Sequence, residues 1–308
     1  MSVGNYRLGE VLGVGEFGVT YLAHDIRNNR VVAVKEIEFY DREKVSEEVA
    51  TLNELSRPLH DEETDPRGAR YIVLYHDSFM ENVNGSTTLF IVTEYIDGST
   101  LDKFISHNMH NIRPSFLWSL YLQLLIGLRY IHQQGYAHRD IKGNNILITR
   151  DFTIKYIDFG LSCLSKPSNL SKPSESQGPS HIDTCDKRAA HPLYMPPEYF
   201  NETDVDSIVG AQARDVWALA VVMFQMAHGS EEFPFQTKDT YGNELDFRER
   251  QANIAKAPKY PSHYSRDDGR TNKFLDSLLI NDWKKRPTVQ SALSNLMYNI
   301  LARAYFDS

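Results

Sequence analysis

The chain has 308 residues, 41% of them hydrophobic and 24% charged, with a formal net charge of −8. These are ordinary globular values; the negative balance argues against a dominant nucleic-acid-binding surface, and the apolar stretches are too short and interrupted to span a bilayer. A length of 308 lies at the upper limit of one undivided core, so two lobes sharing a cleft are expected.

The start MetSerValGlyAsnTyrArg lacks a basic-then-apolar signal pattern, so a cytoplasmic protein is expected, with nuclear access left open. Cys163 and Cys185 are the two cysteines, both in one polar stretch, and reduced thiols are the expectation.

In chain order, residues 6–22 and 30–37 alternate β-branched and apolar residues around a glycine-rich turn, which predicts a twisted hairpin and a third strand. Residues 41–55 follow a helical period, with Val45, Val49, Leu52 and Leu55 on one face. The acidic, turn-rich residues 57–70 predict an exposed loop, a surface open to partners. Strands are expected at 71–75 and 89–95, with AspGlySer at 97–99 as punctuation. The chain then turns helical, with apolar periodicity over 116–133, 215–228, 273–279 and 288–304. Residues 162–188 are crowded with Ser, Pro and Lys and carry no apolar period. No internal repeat is present.

Several motifs carry chemistry. LeuGlyValGlyGluPheGlyValThr at 12–20 sits between two expected strands, and Gly13, Gly15 and Gly18 let backbone N–H groups approach phosphates. That pattern alone also fits a tight hairpin with no ligand. A dinucleotide-binding fold would run from strand into helix, whereas the sequence here stays strand-like. ValAlaValLys at 32–35 presents Lys35 among apolar neighbours, where it needs a charged partner. HisArgAspIleLysGlyAsnAsn at 138–145 is followed by AspPheGly at 158–160. Asp140 can orient an attacking hydroxyl and take its proton, while Asn145 and Asp158 offer hard oxygen ligands suited to Mg²⁺. Lys142 is a compact cation two residues from Asp140.

Taken in order, these motifs resemble the eukaryotic-type protein kinase family, Ser/Thr class, over nearly all 308 residues. The resemblance implies an α+β, two-lobed protein-kinase-like fold, with a small β-rich lobe at 6–96, a larger α-helical lobe at 97–304 and an activation segment at 158–198, all within one domain. It implies ATP and Mg²⁺ as cofactors, and Ser or Thr hydroxyls of proteins, the chain itself included, as acceptors. It further implies no direct nucleic-acid binding, no membrane association and a monomer by default. Catalytic roles fall to Lys35, Glu48, Asp140, Lys142, Asn145 and Asp158, with Asn145 and Asp158 as metal ligands and Glu48 as the ion-pair partner of Lys35. Nucleotide contacts fall to Leu12, Gly13, Val14, Gly15, Glu16, Phe17, Gly18, Thr20, Ala33, Lys35, Thr93, Glu94, Ile96 and Leu147. Among these, Thr93 is the gatekeeper, Glu94 and Ile96 present hinge backbone groups, and Ala33 and Leu147 form the adenine ceiling and floor.

Lys142 favours Ser/Thr over Tyr acceptors on the same resemblance. ProProGlu at 196–198 matches a family signature, with Arg286 as the buried partner of Glu198 and Asp215 as the anchor of the catalytic loop. Thr20 stands where valine is usual, Ala220 where glycine is, and His191 where Ser/Thr kinases place a threonine. Arg139 can pair with an activation-loop phosphate, and Asp186, close to Thr184, is expected to supply a standing negative charge. The serines at 162, 165, 168, 171, 174, 176 and 180 are candidate autophosphorylation sites. A nucleotide-binding pseudokinase is the competing reading, against which retention of Lys35, Asp140 and Asp158 speaks.

Overall fold

The structure, a computed structural model, describes residues 2–15, 18–38, 42–59, 68–108, 111–164, 185, 191–201, 207–254 and 269–306. Glu16, Phe17, the stretch 60–67, Thr184, Asp186 and the serines at 165, 168, 171, 174, 176 and 180 lie outside them.

The N-terminal third builds one antiparallel sheet from β1 (Ser2–Val3), β2 (Tyr6–Gly15), β3 (Gly18–Asp25), β4 (Arg30–Glu38), β5 (Tyr75–Val83) and β6 (Ser86–Glu94), ordered β1-β2-β3-β4-β6-β5. Successive strand side chains point to opposite faces, and β6 is buried on both. Leu89 and Ile91 join the large core, whereas Phe90 and Val92 pack with Val3, Tyr6, Ala23, Val32 and Val34 in a second one. The same alternation in β4 turns Val32 and Val34 into that second core and sets Ala33 and Lys35 on the opposite face.

α1 (Arg42–Ser56) follows β4 and packs Leu52 and Leu55 into the large core, with Val49 against its edge. Beyond the sheet come α2 (Leu101–Asn108), α3 (Pro114–Gln133), α4 (Glu198–Asn201), α5 (Ile208–His228), α6 (Phe247–Ile254), α7 (Arg270–Asp276) and α8 (Val289–Phe306). α3 begins with Pro114 in its first turn, where the missing N–H costs nothing. α5 is buried around almost its whole circumference, and Ser207 caps it by accepting from Gly210 N at 3.1 Å. Each fully buried Leu or Phe of such a helix contributes about 1.5–3 kcal/mol. Tyr130 of α3 donates to Leu55 O of α1 at 2.8 Å, and burial pushes the Tyr130 hydroxyl up to about 12.

Two short pairings complete the frame. β9 (Ile146–Thr149) lies between β7 (Gly98–Thr100) and β10 (Ile154–Tyr156), and β8 (Tyr136–Ala137) pairs with β11 (Cys163–Leu164).

Three expectations are corrected. The strand expected at 71–75 begins at Tyr75, preceded by a single 3-10 turn, Ala69–Tyr71. The hairpin it forms with β6 turns at Asn84 and Gly85, both at positive φ (52° and 89°), the geometry an AsnGly pair favours. The expected exposed loop at 57–70 holds 3-10 turns at Arg57–Leu59 and Ala69–Tyr71, and Ala69 is 1% exposed. Gly68 (φ 130°) lies so close to the Tyr130 Cβ and the Ile126 carbonyl that a Cβ could not fit, which docks this end of the stretch on α3. Third, Cys163 and Cys185 form a disulfide with Cα atoms 5.7 Å apart. The physical reason is that β11 sets Cys163 opposite Ala137, on which Cys185 also packs.

Candidate active site

The centre of the site is a three-residue charge cluster. Lys35 Nζ, on β4, donates to Glu48 Oε1 of α1 at 2.8 Å and to Asp158 Oδ1 at 2.9 Å. The expected Glu48 partnership is therefore present, and Glu48 itself is 5% exposed. Burial lowers the Lys35 ammonium, but the two carboxylates outweigh it and hold the group well above its ordinary range. Burial pushes Glu48 up against the opposing pull of Lys35, while for Asp158 the ammonium outweighs burial and moves the carboxyl down. Asp158 takes a left-handed backbone (φ 61°), a strained conformation for a non-glycine residue and one that marks functional sites.

The catalytic loop follows β8. The Asp140 carboxylate accepts on Oδ2 from Lys142 Nζ at 2.8 Å and from Asn145 Nδ2 at 2.7 Å. The same Asn145 amide donates to Asp140 O at 2.9 Å, so its carbonyl end is turned away from Asp140. Arg139 is also left-handed (φ 68°), and the loop is held from behind by Asp215 of α5. Asp215 accepts from His138 N and Arg139 N at 2.8 Å each and from His132 Nε2 at 3.0 Å. Burial would raise the Asp215 carboxyl, but these donors outweigh it and move the group down. His132 was missed by motif reasoning because it sits inside the apolar α3, with no spacing signal to the loop.

The nucleotide-side residues are arranged around β2–β4. Thr20 lies directly opposite both Gly13 and Lys35 in the strand register, and Ala33 lies opposite Thr93. Leu12 and Val14 are exposed at 40% and 79%. A Cβ on Gly13 would meet nothing within 4 Å, whereas one on Gly18 (φ 148°) would collide with Glu36 O. Gly18 is thus required by the protein's own backbone, and Gly13 leaves open space beside the sheet. Glu94 has a role that the sequence did not signal. Its carboxylate accepts from Lys155 Nζ at 2.6 Å and from Leu74 N at 2.9 Å, which fixes the strand end from which Ile96 departs. Leu147 lies half-buried on β9, opposite Thr100.

The donor set fits the expected cofactors. Asn145 and Asp158 supply the few hard oxygens that Mg²⁺ takes from a protein when phosphates and water fill its remaining positions. Among the described residues no group of three or more His, Cys, Asp or Glu forms a metal cluster.

A cavity beside Asp140 is lined by Arg139, His191, Tyr194 and Arg214 among others. His191 caps the turn Pro192–Tyr194 and sets its ring edge-on to Tyr194 at 5.5 Å. Tyr194 donates to Gln225 Oε1 at 2.9 Å, and burial pushes its hydroxyl up to about 12. Below the cavity Arg286 grips Glu198 through two bonds of 2.7 and 2.9 Å, both side chains fully buried, with the guanidinium 5.0 Å from the Trp217 ring centroid.

Comparison with known proteins agrees with this geometry. The protein kinase domain family matches residues 6–297. The serine/threonine-protein kinase SSK22 of Saccharomyces cerevisiae is 30% identical over 299 residues, 92% of this chain and 20% of that protein. Cell division control protein 7 of Schizosaccharomyces pombe is 33% identical over 233 residues, 73% of this chain and 18% of that protein. The MAP kinase kinase kinase SSK2 of Saccharomyces cerevisiae is 29% identical over 315 residues, 92% of this chain and 18% of that protein. The chain spans about a fifth of the length of these relatives. With the family matched over nearly the whole chain, the chain belongs to the protein kinase family.

Proposed function

We propose that this chain transfers the γ-phosphoryl group of Mg·ATP to Ser and Thr hydroxyls of protein substrates, and to its own. It does so as one two-lobed kinase domain, with lobes at 6–96 and 97–304 and an activation segment at 158–198. The observation that carries the reading is the bridge from Lys35 to Glu48 and Asp158, residues 13 and 123 positions away, beside an Asp140 held by Lys142 and Asn145.

Bound Mg·ATP would supply the transferable group and neutralise its charge, with Asn145 and Asp158 holding the metal. Lys35, kept charged and oriented by Glu48, reaches the nucleotide phosphates. Gly13, Gly15 and Gly18 bring β2 and β3 close to those phosphates, and Leu12, Val14, Ala33, Thr93, Ile96 and Leu147 enclose the base. Asp140 takes the acceptor hydroxyl's proton on Oδ1, since Lys142 and Asn145 converge on Oδ2. Lys142 then stands beside the negative charge of the phosphoryl group in transit. The acceptor hydroxyl approaches Asp140 beside His191 and Tyr194, which line a small cavity with it. Positioning and electrostatics supply nearly all of the rate in such a site.

No helix among the described residues is long and apolar enough to cross a membrane, and a cytoplasmic setting is part of the reading. Transfer of labelled γ-phosphate to a generic basic protein, followed by phosphoamino-acid analysis with and without Mg²⁺, tests it. Metal-dependent phosphoserine or phosphothreonine supports the assignment. Phosphotyrosine alone, or no transfer while Mg·ATP still raises the melting temperature, contradicts it.

A further inference from the structure

We propose that Cys163 and Cys185 form a reversible redox-modification site that clips the acceptor side of the active site to the catalytic loop. The cysteines are 22 positions apart in sequence and disulfide-bonded. Cys163 lies on β11, directly opposite Ala137 on β8, and Ala137 is followed at once by His138, Arg139 and Asp140. Cys185 is 1% exposed and packs on Ala137 and on Ala211 of α5. Its carbonyl accepts from Arg214 Nη2 at 3.3 Å, and Arg214 lines the same cavity as Asp140, His191 and Tyr194. The bond therefore joins the strand that launches the catalytic loop to the wall of the acceptor cavity. It coexists with the Lys35, Glu48 and Asp158 cluster in this structure. Among the described residues its neighbours Ala137, Ala211 and Arg214 lie at the catalytic loop and the acceptor cavity, so its effect is expected on acceptor binding.

The chemistry is a two-electron exchange with a peroxide. Cys163, half-buried and the more reachable sulfur, attacks hydrogen peroxide as a thiolate; the O–O bond breaks, and a sulfenic acid forms as hydroxide leaves. The Cys185 thiolate attacks that sulfenic sulfur, the S–S bond forms, and a second hydroxide leaves. The two thiol protons end in two waters, with both thiols oxidised and one peroxide reduced. A dithiol reverses the step: it attacks the Cys163 sulfur, Cys185 departs as thiolate, and the reductant's second thiol releases Cys163 while becoming a disulfide itself. In a reducing compartment such a bond is reversible and can report redox state.

The effect on acceptor binding rests on the phosphotransfer reading; the clip itself does not. The test treats the whole chain with hydrogen peroxide or with dithiothreitol, alongside Cys163→Ser and Cys185→Ala. Three readouts follow: peptide mass mapping, melting temperature, and the KM for a protein substrate against that for ATP. We expect a dithiothreitol-sensitive 163–185 cross-linked peptide and a higher melting temperature in the oxidised wild type alone. We expect the protein-substrate KM to be lower by about 5-fold or more in that form, with the ATP KM unchanged. Both variants should match the reduced wild type whatever the treatment. Free thiols after peroxide, a variant that stays redox-sensitive, or equal substrate KM in both forms would overturn the proposal. If no form transfers phosphate, the phosphotransfer reading fails, and the cross-link and melting arms still decide the clip.

Discussion

Lys35 Nζ lies 2.9 Å from Asp158 Oδ1, an ion pair closed across 123 positions of sequence, and Glu48 shares the same ammonium at 2.8 Å. Removing the cation leaves two carboxylates facing one another. Lys35→Met should lower phosphotransfer by roughly 10²–10³-fold, the usual cost of deleting one preorganised charge donor. The pH dependence of stability then has a definite sign. Burial raises the folded Glu48 carboxyl above its unfolded value, so without Lys35 the folded state is disfavoured wherever an unfolded Glu48 would ionise. Lys35→Met should therefore be nearly as stable as wild type near pH 4 and progressively less so toward pH 8, read by melting curves across that range. A deficit that grows on acidification would contradict this.

Two glycines of the same loop separate fold from ligand binding. Gly18→Ala forces a Cβ onto Glu36 O at φ 148° and should destabilise the chain by about 1–3 kcal/mol. Gly13→Ala meets no protein atom and should keep the melting temperature while raising the KM for ATP. Equal melting losses in both variants would show that Gly13 serves the fold.

Arg286 and Glu198 are both fully buried and joined by two bonds. Truncating either leaves an uncompensated buried charge, and Arg286→Ala or Glu198→Ala should each cost about 3–5 kcal/mol in denaturant unfolding. Arg286→Lys should recover only part of this, because an ammonium cannot make the paired bonds or lie over the Trp217 ring in the same way. Full rescue by lysine would reduce the role to charge alone.

Asp215 holds the backbone of the catalytic loop with its carboxyl moved below the ordinary range. A depressed folded value contributes stability that is present above the unfolded value, near pH 4, and is lost as pH falls through the folded one. Asp215→Asn should cost about 1.5–3 kcal/mol at neutral pH, and the gap to wild type should close on acidification below about pH 4. A gap independent of pH would point to shape rather than charge.

Much of the site was legible because its chemistry is written in short, ordered motifs. The expected Lys35–Glu48 pair forms, and Glu48 was separable from Glu47 by its apolar offsets. The β4 and β6 strands were legible because each carries a short apolar, β-branched-rich run, Val31–Val34 and Leu89–Val92, bounded by polar residues. The β5 strand was not, since TyrHisAspSerPheMetGluAsnVal at 75–83 is largely polar; AsnGly at 84–85 was the unused signal. Stretch 57–70 reads as solvent because it is acidic, yet Gly68 and Ala69 dock on α3 through backbone proximity that carries no hydrophobic period. Long-range pairings were the least visible: His132 with Asp215, Lys155 with Glu94, and Cys163 with Cys185 are set by strand and helix packing rather than by spacing. The left-handed backbones of Arg139 and Asp158 leave no mark in residue type at all.

The account rests on Asp140 as the group that receives the acceptor proton, and single-turnover phosphotransfer by wild type and Asp140→Asn under saturating Mg·ATP tests this most directly. The predicted result is a rate lower by roughly 10²–10⁴-fold in the variant, with the Mg·ATP-induced rise in melting temperature retained. An unchanged rate, with nucleotide binding intact, would contradict it.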